Sequence, residues 1–367
     1  MRSSSALFQS DYGRQGNFEL IVTNNPSGAD GTRRGGLFTL QRNNDAGMVW
    51  VWRDFHITTV DDYGTGERLQ DDPPPVEQAY RFPCWVEGTD HNFHGVCVLG
   101  SNVWYFAIQP VTSVALYPPR PGGVPPAIPA GTVLPSNCVG APAFIQSLFG
   151  SPGNFELIVP TSGGGMHHFW HDNSGGLPNL SFFAPHGTIA FSGWLSAHQF
   201  GMNPVAGVRL LHSDFGNLEV VALERSRSGN QLVHYWQNGP GGPWISGEVL
   251  PESEQVGGLP GFIQSSFRTN PGNGNLEVVA PLSGGGLAWW TSFIDPTGSR
   301  VWQRQRDQVL DNDHTRVEVV HLIQSNYNDN FEVIAETGDT PYGYGSLFFY
   351  FHDTAMARWN GPFPIRP

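Results

Sequence analysis

The 367-residue sequence contains no lysine: all 19 basic side chains are arginines. With the N-terminus as the only primary amine, Schiff-base chemistry, pyridoxal-phosphate attachment and a P-loop lysine are excluded, because each needs an ε-amine. Basic charge of any kind is scarce. The 32 acidic residues set the net charge at −13, and no basic patch offers counterion release on a phosphate backbone or anionic lipid. Nucleic acid and membrane are therefore not expected partners, and no run of about 18 apolar residues is present to cross a bilayer. Three cysteines, Cys84, Cys97 and Cys138, match neither a disulfide framework nor paired zinc spacing, and leave room for one bridge and one free thiol. Met1-Arg2-Ser3-Ser4-Ser5 runs straight into a strand-like phrase without a signal-peptide core. The sequon Asn179-Leu180-Ser181 tilts the reading toward the secretory pathway with a leader absent from this sequence, and the compartment stays open.

Glycine and proline are abundant instead, at 46 and 30 residues, and they resist regular helix. Between them a two-part phrase recurs. Leu7-Phe8-Gln9-Ser10, Phe144-Ile145-Gln146-Ser147, Leu210-Leu211-His212-Ser213, Phe262-Ile263-Gln264-Ser265 and Leu322-Ile323-Gln324-Ser325 each precede a Gly/Asn-rich turn. A second apolar phrase follows, as in Asn17-Phe18-Glu19-Leu20, Asn154-Phe155-Glu156-Leu157, Asn217-Leu218-Glu219-Val220, Asn275-Leu276-Glu277-Val278 and Asn330-Phe331-Glu332-Val333. An aromatic third segment and a tryptophan-bearing fourth, with Trp50, Trp244, Trp302 and Trp359, complete the unit. A degenerate copy reads Phe82-Pro83-Cys84-Trp85 as its first phrase and Phe93-His94-Gly95-Val96 as its second.

Six such units of about four short antiparallel strands predict an all-β, six-bladed β-propeller, whose radial repetition leaves only short protected sheet edges. One domain is expected over residues 1–367, with blades starting near 6, 80, 142, 208, 260 and 320. WD dipeptide and Asp-box phrases are absent. The proline-rich stretch 118–135 and Asp71-Asp72-Pro73-Pro74-Pro75 read as surface insertions around the second blade.

Positions kept from blade to blade serve the blade; positions that break the repeat are free to serve a unique site. The repeated Glu19, Glu156, Glu219, Glu277 and Glu332 are therefore read as structural acceptors, and the repeated glutamines as ties between neighbouring sheets. The departures are His212 in place of glutamine, Cys84-Trp85 in place of Gln-Ser, His94 in place of glutamate, Arg81 just upstream and His321 ahead of the sixth first phrase. These supply candidate catalytic groups (His212, His94, Arg81, His321) and candidate substrate contacts (Trp85, Cys84), since histidine moves protons near neutrality. His167, His168 and His171 lie on a strand, where neighbours face opposite ways, so no metal site is assigned. No cofactor loop or nucleophile elbow is present.

Unequal blades and localised departures fit one hydrophobic small-molecule pocket at the propeller axis better than six equal pockets. The alternative is a carbohydrate-binding lectin, since the strand phrases resemble those of microbial propeller lectins in architecture; here, however, glutamates repeat and no arginine does. On Phe-Ile-Gln-Ser followed by Gly-Asn-Phe-Glu-Leu, the chain also resembles the fungal hetero-Diels–Alderases of tropolone sesquiterpenoid biosynthesis. That resemblance implies a cofactor-independent cyclase that dehydrates a hydroxymethyl tropolone to a quinone methide and adds it to a sesquiterpene polyene. The expected roles are His212 or His94 as general acid, Arg81 or His321 as donor to the enone, and Trp85 as an aromatic wall.

Overall fold

The computed structural model describes residues 2–57, 81–108, 137–175, 194–305 and 316–365, less the short stretches 4–5, 13, 25–35, 46–48, 100, 228, 268–272, 296–298, 327–328, 338–345 and 354–355. Both proline-rich insertions and the Asn179 sequon lie outside the described residues. After the two-residue strand β1 (Arg2–Ser3), the first blade is β2 (Leu7–Gln9), β3 (Phe18–Asn24), β4 (Gly36–Arg42) and β5 (Trp50–Ile57). The second holds β6 (Arg81–Glu87), β7 (Phe93–Leu99) and β8 (Asn102–Ile108), the third β9 (Ala143–Gln146), β10 (Phe155–Pro160), β11 (Met166–His171) and β12 (Trp194–Phe200). The fourth is β13 (Val205–His212), β14 (Asn217–Ser226), β15 (Gly229–Asn238) and β16 (Trp244–Val249). The fifth is β17 (Gly261–Gln264), β18 (Leu276–Pro281), β19 (Leu287–Ile294) and β20 (Arg300–Arg304), and the sixth β21 (Val317–Gln324), β22 (Phe331–Thr337), β23 (Leu347–Asp353) and β24 (Arg358–Ile365).

The strands of each blade form an antiparallel meander in chain order, and the first strands of successive blades neighbour one another around the axis, β2 and β21 closing the ring. The expected six-bladed propeller is thus the observed architecture. Alternate residues of each inner strand face the preceding and the following blade, so the apolar phrases fill the spaces between sheets. Phe144, Phe155 and Leu210 share one such core, while Leu211, Phe262 and Trp290 share another. The turns need glycine where the chain doubles back: Gly16 has φ 67°, and a Cβ there would stand 2.6 Å from Ser10 O.

The glutamine of the first phrase ties each blade to the one before it. Gln9 Oε1 accepts from Asn326 N at 2.9 Å, Gln146 Oε1 from Thr89 N at 2.9 Å, Gln264 Oε1 from Asp214 N at 2.7 Å and Gln324 Oε1 from Ser266 N at 2.6 Å. In the fourth blade His212 Nδ1 takes the same bond from Leu148 N at 3.3 Å. In the second, Glu87 Oε2 takes it from Asp11 N at 2.8 Å.

That last bond corrects the register read from sequence. Glu87 pairs with Phe93 as Gln9 pairs with Phe18, so the glutamine position of blade two is held by Glu87, and Trp85-Val86-Glu87-Gly88 is its first phrase. An irregularity between Arg81 and Cys84 adds residues ahead of the phrase, which is why the eye aligns Cys84 with glutamine. His94 does occupy the glutamate position, pairing beside Phe93 as Glu19 does beside Phe18.

No disulfide forms: Cys84, Cys97 and Cys138 are all buried free thiols. At the axis-side edge of blade four, β1 adds a fifth strand, with Arg2 opposite His212 and Ser3 opposite Leu211.

Candidate functional site

Three residues before the glutamine ring, the six inner strands form a second layer around the axis: Ala6, Cys84, Ala143, Arg209, Gly261 and His321. Small residues alternate with residues that carry chemistry. All three of the latter are buried. His321 is fixed on both ring nitrogens: Ala6 N donates to Nδ1 at 3.3 Å, so Nε2 carries the proton and donates to Glu336 Oε1 at 2.6 Å. Because Ala6 belongs to blade one and His321 to blade six, this contact also helps to close the ring. Cys84 Sγ donates to Phe144 O at 3.4 Å.

Arg209 was not singled out from sequence. Arg209 is buried on β13, between β9 and β17 in the ring, and Cys84 in blade two and Glu336 in blade six are the ionisable groups that act on it through space. Burial lowers its pKa, and those two groups oppose the shift. The signal was present: Ala6, Ala143 and Gly261 hold the equivalent positions, so arginine breaks the repeat there as plainly as His212 does three residues on.

The other candidates lie apart from one another. Trp85 is buried, donates through Nε1 to Ala6 O at 2.7 Å, and packs edge-on against Phe8 and Phe93. It therefore meets His321 through Ala6. Arg81 is exposed at the start of β6, its guanidinium 5.8 Å from the Phe82 ring centre. His94 is fully buried between Asp90, whose Oδ1 accepts from Nε2 at 2.9 Å, and Tyr105, whose hydroxyl donates to Nδ1 at 2.5 Å. Burial raises the Asp90 carboxyl, but the hydrogen bonds it accepts from His94 and Asn92 outweigh it, bringing the pKa down to about 2. Burial, and then the Asp90 charge, push the Tyr105 phenol well above its usual value. His212 spends Nδ1 on the interblade bond and meets Phe149 edge-on, with ring centres 4.6 Å apart.

The repeated glutamates are held within the blades. Ser147 Oγ and His168 Nε2 donate to Glu156 at 2.9 and 2.8 Å; Ser213 Oγ and His234 Nε2 donate to Glu219 at 3.2 and 2.8 Å. Glu277 accepts from Ser265, Trp289 and Thr291 at 3.0, 2.9 and 2.7 Å, and burial still raises it to about 7. Neighbouring blades reach these acids too, as Arg300 does to Glu219 and Arg42 to Glu332, both at 3.6 Å. The histidine run is likewise engaged: His168 as above, His167 with Ser196 Oγ and His171 with Asn173 Oδ1, both at 2.7 Å. The described residues do bring the ligand atoms of Asp11, Glu87 and His91 within 4.8 Å of one another at the junction of blades one and two.

No protein-family model matches the sequence, and no curated protein matches it. Solved structures do. An intramolecular trans-sialidase from leech superposes with a TM-score of 0.59 at 8% identity, covering 96% of this chain and 68% of that one. The BP39L lectin from Burkholderia pseudomallei gives 0.53 at 14% identity over 99% and 85% of the two chains, and the intramolecular trans-sialidase from Ruminococcus gnavus 0.50 at 11% over 96% and 94%. At such identities the likeness is one of fold, shared by a lectin and by enzymes acting on sugars, and it joins the six meander sheets in identifying the chain as a six-bladed β-propeller.

Proposed function

We propose that the chain is a small-molecule enzyme with one site on the propeller axis. The observation that carries this reading is the axial layer, where a guanidinium, an imidazole backed by a carboxylate and a thiol alternate with Ala6, Ala143 and Gly261. Six equal blades would present six equal residues there. Fixed donors among small neighbours suit a substrate that is held by shape and polarised at one or two atoms.

The finer reading is a cofactor-independent hetero-Diels–Alder cyclisation. A general acid, His212 or His94, protonates the hydroxyl of a hydroxymethyl tropolone as its C–O bond breaks and water leaves; the tropolone O–H releases its proton, and a quinone methide remains. Its C=C–C=O unit adds across one alkene of a sesquiterpene polyene, forming one C–C and one C–O bond. His321 or Arg81 would donate to the enone oxygen; His321 lies in the axial layer, and its Nε2 proton, held by Glu336, would have to turn to the substrate. Trp85 stands beside Cys84 as the aromatic wall.

The second reading, a multivalent lectin, is favoured by what the inter-blade spaces repeat: a buried glutamate on one blade facing an aromatic or arginine of the next. Trp302 lies edge-on to His234 beside Glu219, and Arg42 spans Phe18 and Glu332. A glycan array with ligand-soaked crystals separates the two. One apolar ligand bound at the axis is the expected result; several equivalent sugars between blades would overturn the enzyme.

A further inference from the structure

We propose that the axial site takes a planar organic monoanion, a carboxylate or the conjugate base of an acidic enol, held by the guanidinium of Arg209. The inference rests on the axial reading above and names the ligand class for it. Arg209 is 4% exposed, and its Nε has no hydrogen-bond partner. Its Nη1 donates to Val208 O at 3.3 Å, a neutral acceptor. Among the described residues it forms no ion pair.

Arginine cannot escape burial by losing its proton, so an uncompensated guanidinium inside a protein is strongly unfavourable unless a counter-charge arrives. The two groups that act on it from other blades do so through space alone, Glu336 beyond ion-pair distance and Cys84 as a protonated thiol. Glu336 Oε1 accepts from His321 Nε2 at 2.6 Å, and Cys84 Sγ donates to Phe144 O. Ala6, Ala143 and Gly261 bring no polar side chain to the layer. One positive charge with a free edge on its planar fork matches one planar monoanion. A phosphate dianion would bring a second charge with no donor in the layer to meet it.

The test is isothermal titration of the full chain at pH 7 with benzoate, and with benzamide as its neutral counterpart. Benzoate is expected to bind one to one and benzamide at least about tenfold more weakly. Arg209→Met should abolish benzoate binding while melting no lower than the unaltered protein, because an unpaired buried charge has been replaced by an apolar chain. Arg209→Lys, which keeps the charge and tests the fork if the methionine variant fails to fold, should bind about tenfold more weakly. Equal affinity for the two probes with a soaked crystal showing benzamide at the axis would overturn the anion and leave the axial site standing. Absent benzoate binding at about 10 mM, benzoate seated away from Arg209, or unchanged binding in Arg209→Met would also overturn the proposal. Sugars between blades with an empty axis would remove both readings.

Discussion

Two rings sit three residues apart on the same six inner strands. In the first, Gln9, Glu87, Gln146, His212, Gln264 and Gln324 each accept a backbone N–H from the preceding blade. Residue type changes twice and the bond does not change at all. In the second, Ala6, Cys84, Ala143, Arg209, Gly261 and His321 keep no common type and no common bond, and Arg209 has an unpartnered nitrogen. A position that departs from an internal repeat therefore becomes informative only once its bond is known. His212 changes the residue and preserves the bond; Arg209 changes both.

The largest effect should come from cutting a kept group that holds buried partners. Glu219 takes hydrogen bonds from Ser213 and His234 and faces Arg300 across the blade junction. Glu219→Ala leaves a buried imidazole and a largely buried guanidinium without it, and should cost about 3–5 kcal/mol in urea denaturation. Arg209→Met, one blade strand away, should cost nothing. Equal losses in both variants would erase the distinction between positions that the repeat keeps and positions that break it.

The kept carboxylates also predict a pH dependence. Burial raises both Glu277 and Glu332 to about 7 from an ordinary 4.5, with hydrogen bonds and, for Glu332, the Arg42 charge opposing it. Folding therefore takes up protons between these values. Their stabilising contribution is complete below about pH 4.5 and is lost as pH rises through about 7, by roughly 3 kcal/mol for each group. Urea midpoints measured from pH 4.5 to 8 should fall, and Glu277→Gln should flatten the slope by about half. A slope unaltered by that substitution would mean that Glu277 is ionised throughout.

The repeat made the propeller legible because its spacing, its turn glycines and its alternation all survive in one dimension. The kept glutamates were legible as structural for the same reason. The second blade was not, since an irregularity between Arg81 and Cys84 shifts the phrase, and only strand pairing reveals that Glu87 stands where glutamine should. Cys84, chosen for the wrong register, nevertheless lies in the axial layer, as does His321. Arg209 is less legible because it lies three residues ahead of the glutamine position, outside the recurring phrase, where the kept residues are only alanine and glycine. What no pattern could supply is partnership. His94, free in the sequence, is locked between Asp90 and Tyr105 by atoms four and eleven residues away.

Smaller effects sharpen the first ring. Gln264→Leu removes the acceptor of Asp214 N and the donor to Gly274 O, and should cost about 1–3 kcal/mol by the same denaturation measurement. His212→Gln is the finest test. Glutamine occupies four of the six positions and holds the neighbouring N–H at 2.6–2.9 Å, against 3.3 Å for His212. The variant should restore the ring's bond, lose only the edge contact to Phe149, and stay within about 0.5 kcal/mol of the unaltered protein. Benzoate affinity should also hold within about twofold, since Arg209 is untouched. If turnover falls while stability and affinity hold, His212 belongs to the chemistry after all, and a residue that keeps the structural bond of its ring would be shown to serve the site as well.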